Sequence, residues 1–501
     1  MSSIKRLISN AAICLPIALL FSACSKSASP GSSPSDALSY ASFAGGESIP
    51  APPPFHPPPE FKPRPTLTDT NPASPDYIRE WNWFTTLGDY QRCGRTNPAW
   101  DADAIEALER YCDLRLVTQD SDALRQMQKR AGESAAKAVA AQCDDPLIEY
   151  IHIRYVLSQQ SDASRREVGE LYANCADHFE KTDYSPIRKM YAELRASETL
   201  GRGKISPTRV TALKRAMVQH LNETLHDPKM PPSEASDIAS QVWKSAQSSP
   251  ASRFDAENLL IPTLQTLWKD HAFSYKISGM FYIDKAWRFR GTGYAKTVTD
   301  DGWKGFGETL EKAQAALEHA WSMDQKDPEV PVKMITVCMG LSLPRKTMEV
   351  WFDRAMAIAP NSYDAVSAKE YYLEPKWLGS DEEVLAFGRE CVASEKWGGK
   401  VPLILQHIHH SLQKYYSLPE KKYFSSPEVW RDISKSYERY FELNPQNVGW
   451  RHDYARDAYT SGQYQTFLDQ LPKFTTGTNY EFFGGEKKFG AMVQTATEKV
   501  K

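Results

Sequence analysis

Between residues 309 and 321, Leu310, Ala313, Leu317, Ala320 and Trp321 recur at steps of three and four, while Glu311, Lys312, Gln314, Glu318 and His319 fill the opposite face. That spacing is the period of a helix with one apolar stripe. Ala313 and Ala320, seven apart around Leu317, keep the stripe shallow, so a neighbouring backbone can approach closely. The stretch 324–328, ending in Pro328, supplies the break, because proline removes a backbone donor and clashes with the preceding turn. Helical periodicity dominates the rest of the chain, which predicts an all-α fold.

The same pattern returns downstream. Over 350–359, Phe352 stands three residues before Ala355 and Pro360 five after it. Over 432–443, Ile433 and Tyr437 stand seven and three before Tyr440, with Pro445 five after. Tyr454, Ala455, Ala458, Gly462, Tyr464 and Phe467 then place small residues in one helix, a glycine at its end and aromatics on the next. These residues resemble tetratricopeptide repeats over about 275–475, and the resemblance implies a solenoid of stacked helical hairpins in which at least one repeat is lengthened. A TPR-like repeat domain is therefore expected over 251–501, following a boundary near Ser248–Ser252. A less repetitive N-terminal helical domain is expected over 77–250, with helices over 147–157, 167–179 and 187–200.

The N-terminus has a different grammar. Lys5 and Arg6 precede an apolar run over 7–21, and Phe21-Ser22-Ala23 leads directly to Cys24. This resembles the lipobox of bacterial lipoproteins, which implies a signal peptide over 1–23, acylation at Cys24 and, from Ser25, an outer-membrane address in a Gram-negative cell. A plain cleaved signal peptide is the alternative. Acyl chains contribute about 0.8 kcal/mol per buried methylene, so two or three of them hold a chain on a bilayer almost permanently. Residues 24–76 are rich in Pro, Ser and Ala, with Pro52-Pro53-Pro54 and Pro57-Pro58-Pro59, and are expected to be a disordered, extended linker. At roughly 3.1 Å per residue it would reach up to roughly 150 Å from the membrane.

Charge bounds the partners. With 60 basic and 63 acidic residues overall, loss of Lys5 and Arg6 leaves a net charge near −5, which argues against nucleic acid. Cysteine usage agrees with export. Apart from Cys14 and Cys24, six remain, and neighbours in sequence suggest Cys93 with Cys112, Cys143 with Cys175, and Cys338 with Cys391. Free, buried cysteines are the alternative.

Two segments interrupt the periodicity. One carries Trp287, Arg288, Arg290, Gly291, Gly293, Tyr294 and Trp303, combining guanidinium groups with aromatic faces and a glycine turn. The other carries Tyr372, Pro375 and Trp377, echoed by Trp397 before Gly398-Gly399, with Ser380 positioned to cap the next helix. This layout is similar to an uncharacterised bacterial family pairing a domain of unknown function with tetratricopeptide repeats, and that resemblance transfers no catalytic residue. Trp287, Arg288, Arg290, Tyr294, Trp303, Tyr372, Trp377 and Trp397 are the candidate partner-binding residues, with helix packing as the alternative role for the tryptophans and loop packing for the first segment.

His407 and His410, three apart on a helix expected over 401–415, form the only metal-like cluster, without the nearby carboxylate that helical zinc signatures use. No P-loop and no Gly-x-Ser-x-Gly occurs. The expectation is a membrane-anchored scaffold binding protein or peptide partners in the cell envelope, not an enzyme and with no cofactor. The alternatives are a surface-tethered, metal-dependent hydrolase of envelope polymers and a structural spacer without a defined ligand.

Overall fold

The computed structural model describes residues 71–114, 122–160, 164–202, 206–293, 295–474 and 477–501. The signal peptide, Cys24, the linker as far as residue 70, and Tyr294 lie outside the described residues. All regular structure among the described residues is helical. The chain divides into two compact units between Ser278 and Gly279, inside the helix Ala272–Arg290. The expected boundary at 250/251 coincides instead with the start of the helix Pro250–Leu267.

The first unit begins with α1 (Pro75–Phe84), two residues inside the expected linker, where Pro75 opens the helix and the Ser74 side chain accepts from Tyr77 N–H. There follow α2 (Leu87–Cys93), α3 (Asp101–Asp113), α4 (Asp122–Ala140), α5 (Pro146–Tyr155), α6 (Arg165–Phe179), α7 (Pro186–Arg202), α8 (Pro207–Leu225), α9 (Pro232–Ala246) and α10 (Pro250–Leu267). Successive helices pack on one another from α3 to α8, and α8 also packs on α10. Close approach is built in by size: Ala104 and Ala107 of α3 and Ala131, Ala135 and Ala138 of α4 are fully buried. Ile148 and Ile151 are likewise enclosed, as their periodicity predicts.

Asp145 shows how loops are fixed in this unit. Fully buried, it caps α5 by accepting from Leu147 N–H at 2.9 Å. It also accepts from Arg95 N–H at 2.9 Å and from the Tyr184 hydroxyl at 3.0 Å. One carboxylate thus satisfies donors from three segments, which offsets its desolvation.

The second unit holds the end of α11 (Ala272–Arg290), then α12 (Asp300–Met323), α13 (Glu329–Gly340), α14 (Arg345–Ile358), α15 (Tyr363–Leu373), α16 (Asp381–Ala393), α17 (Ile404–Tyr415), α18 (Glu420–Phe424), α19 (Pro427–Leu443), α20 (Arg451–Thr460), α21 (Tyr464–Gln470) and α22 (Glu486–Val500). Four of these helices bury the same i, i+4, i+7 triad: Ala313, Leu317 and Ala320 on α12; Met348, Phe352 and Ala355 on α14; Val384, Gly388 and Cys391 on α16; Ile433, Tyr437 and Tyr440 on α19. The third members stand at 320, 355, 391 and 440, steps of 35, 36 and 49. The long last step contains a 3₁₀ turn, Val401–Leu403, and the extra helix α18.

Three triad helices also end alike. The N–H groups of Asp324, Ala359 and Asn444 donate at 2.9 Å to the carbonyls of Ala320, Ala355 and Tyr440. At those residues φ swings to −144°, −133° and −134° and the helix stops. The partner helices run through the series, with α13 packed on α12, α14 and α15, α15 on α17, and α17 on α19. Gly388 is the triad member with no side chain for a reason: a Cβ there would lie 2.8 Å from Leu405 Cδ1 and Ile408 Cδ1. Ser380 caps α16 as expected, accepting from Glu383 N–H, but α16 ends at Ala393, before Gly398-Gly399.

Candidate functional site

The segment around Trp287 forms a built cluster at the end of α11. Arg290 points inward and is 3% exposed, its guanidinium carbon 5.6, 5.4 and 5.9 Å from the ring centroids of Trp287, Trp303 and Trp377. Its Nη1 donates to the carbonyls of Gly291 at 3.2 Å and Gly293 at 3.3 Å, so the charge also pins the turn that follows the helix. Trp287 meets Phe306 and Trp377 edge-on at 5.0 and 5.7 Å, and Trp303 meets Phe306 at 5.9 Å. Edge-to-face rings around a desolvated guanidinium use both the ring quadrupoles and the apolar area.

The start of α12 completes the enclosure. Thr299 caps it, accepting from Gly302 N–H at 3.0 Å. A Cβ on Gly305 would lie 2.7 Å from Phe289 Cγ, so Phe289 lies directly against the α12 backbone there. Phe289 nevertheless remains 48% exposed, and its neighbour Arg288 is exposed and paired with Asp284 at 3.2 Å.

Behind Trp377 lies an acidic pair that sequence reasoning missed. Tyr371 meets Trp377 at 5.6 Å, and Lys376 sits 4.4 Å above the Tyr371 ring while pairing with Glu374. Glu370 and Glu374 are both buried. Burial, reinforced by the charge of Glu374 and opposed by Lys376, holds Glu370 well above the usual carboxylate range. On a helix with little amphipathic contrast, Glu370 gives no sign in sequence that it faces inward.

The eight candidate partner-binding residues are therefore sorted by the fold. Trp287, Arg290 and Trp377 converge and are buried, with Trp303 half-buried against them. Tyr372 is buried, its hydroxyl donating to Leu343 O at 3.2 Å, and Trp397 packs edge-on to Phe352 at 5.6 Å. Arg288 is on the surface, and Tyr294 lies outside the described residues.

The histidine segment lies on α17, and the fold separates its members. His409 lies between the Tyr423 hydroxyl at 2.9 Å and Asp432 Oδ2 at 3.2 Å, and Arg389 donates to the same Asp432 oxygen at 2.9 Å. His410 Nε2 meets Asp457 Oδ2 at 3.1 Å, an oxygen that also accepts from the Tyr437 hydroxyl at 2.9 Å. His407 is pulled down to about 4, by burial first and then by His410, Lys414 and Lys376, so it is neutral at physiological pH. Its Nε2 faces Ser411 Oγ at 3.5 Å, whereas His410 is held by Asp457.

The cysteines correct an expectation. Cys93, Cys112, Cys143, Cys175, Cys338 and Cys391 are all free, and none of the three suggested pairings forms. Cys93 donates to Asp89 O, Cys112 to Asn82 O and Cys175 to Pro146 O, and all but Cys93 are buried, the packing of small apolar groups. No protein-family model matches the chain, and no curated protein matches it.

Proposed function

We propose that the chain is a lipid-anchored, tetratricopeptide-like scaffold of the bacterial cell envelope that binds protein or peptide partners. The observation that carries the reading is the recurring buried triad of the second unit, at 320, 355, 391 and 440. Helices that nest through one periodically buried stripe commit that face to their neighbours and leave the other to solvent, which is the geometry by which hairpin arrays take extended segments.

The Arg290 cluster supports the same reading from another side. It packs the end of α11 around a buried guanidinium, so that the exposed Arg288 and Phe289 stand beside a well-contacted cluster. Preorganised anchors lose less entropy on binding than mobile ones. The anchor itself rests on Cys24. Growth with a labelled fatty acid tests it: label and membrane retention should both disappear in Cys24→Ala, and a Cys24→Ala chain that stays membrane-bound and labelled would refute it. Partner binding is tested by affinity capture with Arg288→Glu/Phe289→Ser, alongside a denaturant melt that checks that the variant keeps its fold, since Phe289 also packs against Gly305. Loss of the captured species is expected, and undiminished capture would remove this face from the account.

A further inference from the structure

In the first unit, α6, α7 and α8 bring together three side chains that no local motif connects. Glu193 lies on α7, His220 on α8, and Glu180 directly follows α6. His220 Nδ1 stands 3.0 Å from both oxygens of Glu193, and its Nε2 stands 3.5 Å from Glu180 Oε1. One donor atom from each of the three lies within 4.8 Å of the others. We infer that Glu180, Glu193 and His220 form a binding site for a first-row divalent cation, zinc foremost, closed on the protein side and open to solvent at Glu180.

The geometry supports this first. Metal bonds of about 2.0–2.1 Å in a tetrahedral shell place neighbouring donors about 3.3 Å apart, and the Glu193 and His220 donors already stand close to that spacing. Glu180 stands against the other ring nitrogen, Nε2, so closing a shell around an ion held at Nδ1 and Glu193 requires the exposed Glu180 side chain to swing across to that side. Burial follows the same gradient: Glu193 is 2% exposed and His220 9%, while Glu180 is on the surface, so the site has a floor and a mouth.

Charge supports it second. The groups that act on Glu193 are His220 and Glu180, and the charges around His220 are those of Glu193, Glu180 and Glu223, the last one turn along α8. Three glutamates thus gather around a single imidazole, one of them buried, an arrangement that a bound cation would neutralise. A divalent cation with two glutamates and a neutral imidazole makes a first shell of zero net charge, and a mixed nitrogen and oxygen donor set suits zinc better than magnesium or calcium. Three protein ligands leave a fourth position for water.

The test uses the full chain, stripped with chelator and dialysed against buffered zinc. One equivalent should be retained, with X-ray absorption showing one nitrogen and two protein oxygens at about 2.0 Å. Glu180→Gln, a surface change that leaves the fold in place, should weaken zinc binding at least tenfold, and Glu193→Gln and His220→Ala should abolish it at the same zinc concentration. Magnesium in excess should not displace zinc. No retained zinc, or the same retention in Glu180→Gln and His220→Ala, would overturn the site and leave an imidazolium–carboxylate pair only. Retention that survives His220→Ala but fails in His407→Ala would overturn it equally, by moving the metal to α17.

Discussion

Arg290 places its guanidinium carbon 5.4 Å from the ring centroid of Trp303, so the cation carried into the core at the end of α11 also fastens the first turn of α12. A desolvated cation over a ring contributes up to about 2 kcal/mol. Arg290→Ala should therefore destabilise the second unit by roughly 2–4 kcal/mol in denaturant melts, through lost ring contacts and an unpinned turn. Arg290→Lys should recover only part of this, because an ammonium cannot lie flat among three rings. Equal stability of Arg290→Ala and wild type would show that the cluster does not hold the loop.

The triads predict opposite responses to opposite changes of volume. Leu317→Ala, at the centre of the α12 triad, should cost about 2–5 kcal/mol by opening a cavity. Ala355→Leu, at a fully buried seam position on α14, should cost about 1–3 kcal/mol by overpacking. Chemical denaturation of both variants checks this; neutrality of Ala355→Leu would mean that the seam has room.

Acid should weaken the second unit through two buried aspartates. Burial works to raise Asp432 and Asp457, but His409 and Arg389 outweigh it at the first, and His410, Arg456 and Tyr437 at the second, so both fall below the ordinary value. Their contribution is present above the unfolded value of about 3.9 and is lost as pH falls through the folded one. Asp457→Asn should flatten the acid side of the second unit's stability profile while lowering stability at neutral pH.

Glu193 runs the other way. Burial pushes it up to about 7, against the lowering effects of His220. A raised carboxyl is an advantage below its unfolded value of about 4.3 that is lost as pH rises towards 7, on the order of 4 kcal/mol at about 1.4 kcal/mol per unit. Metal-free protein should show this loss in melts of the first unit across that window, and Glu193→Gln should abolish the slope. A flat profile in the wild type would contradict the burial argument.

The thiols give a chemical check. Burial first, and then the charge of Asp89, pushes Cys93 up to about 11, and burial raises Cys338 to about 12. A thiol reagent added to native protein at neutral pH should label slowly at most, since the thiolate is the reactive form. Denatured, unreduced protein should then expose Cys93, Cys112, Cys143, Cys175, Cys338 and Cys391 to labelling, and fewer than six labels there would indicate a disulfide.

Legibility in the sequence followed the physics of each feature. The triad over Ala313, Leu317 and Ala320 and the stops after Ala320, Ala355 and Tyr440 are written locally, in period and in proline spacing, and the helices formed accordingly. The third member at Cys391 was hidden, because Gly388 replaces the usual bulk with a close approach of α17. Trp287, Arg290, Trp303 and Trp377 were recognisable as a set, yet aromatic and guanidinium groups have the same composition whether they face a partner or each other. Glu193 and His220 gave no signal at all, since 27 residues separate them and only the packing of α7 on α8 joins them.

Placing a photo-crosslinking residue at Phe289 and, separately, at Trp287 in cells tests whether the second unit presents a binding face at the end of α11. A single discrete adduct from position 289, lost on Arg288→Glu and not formed from the buried position 287, is the predicted result. Position 289 yielding no adduct, or positions 287 and 289 yielding the same diffuse set, would contradict it.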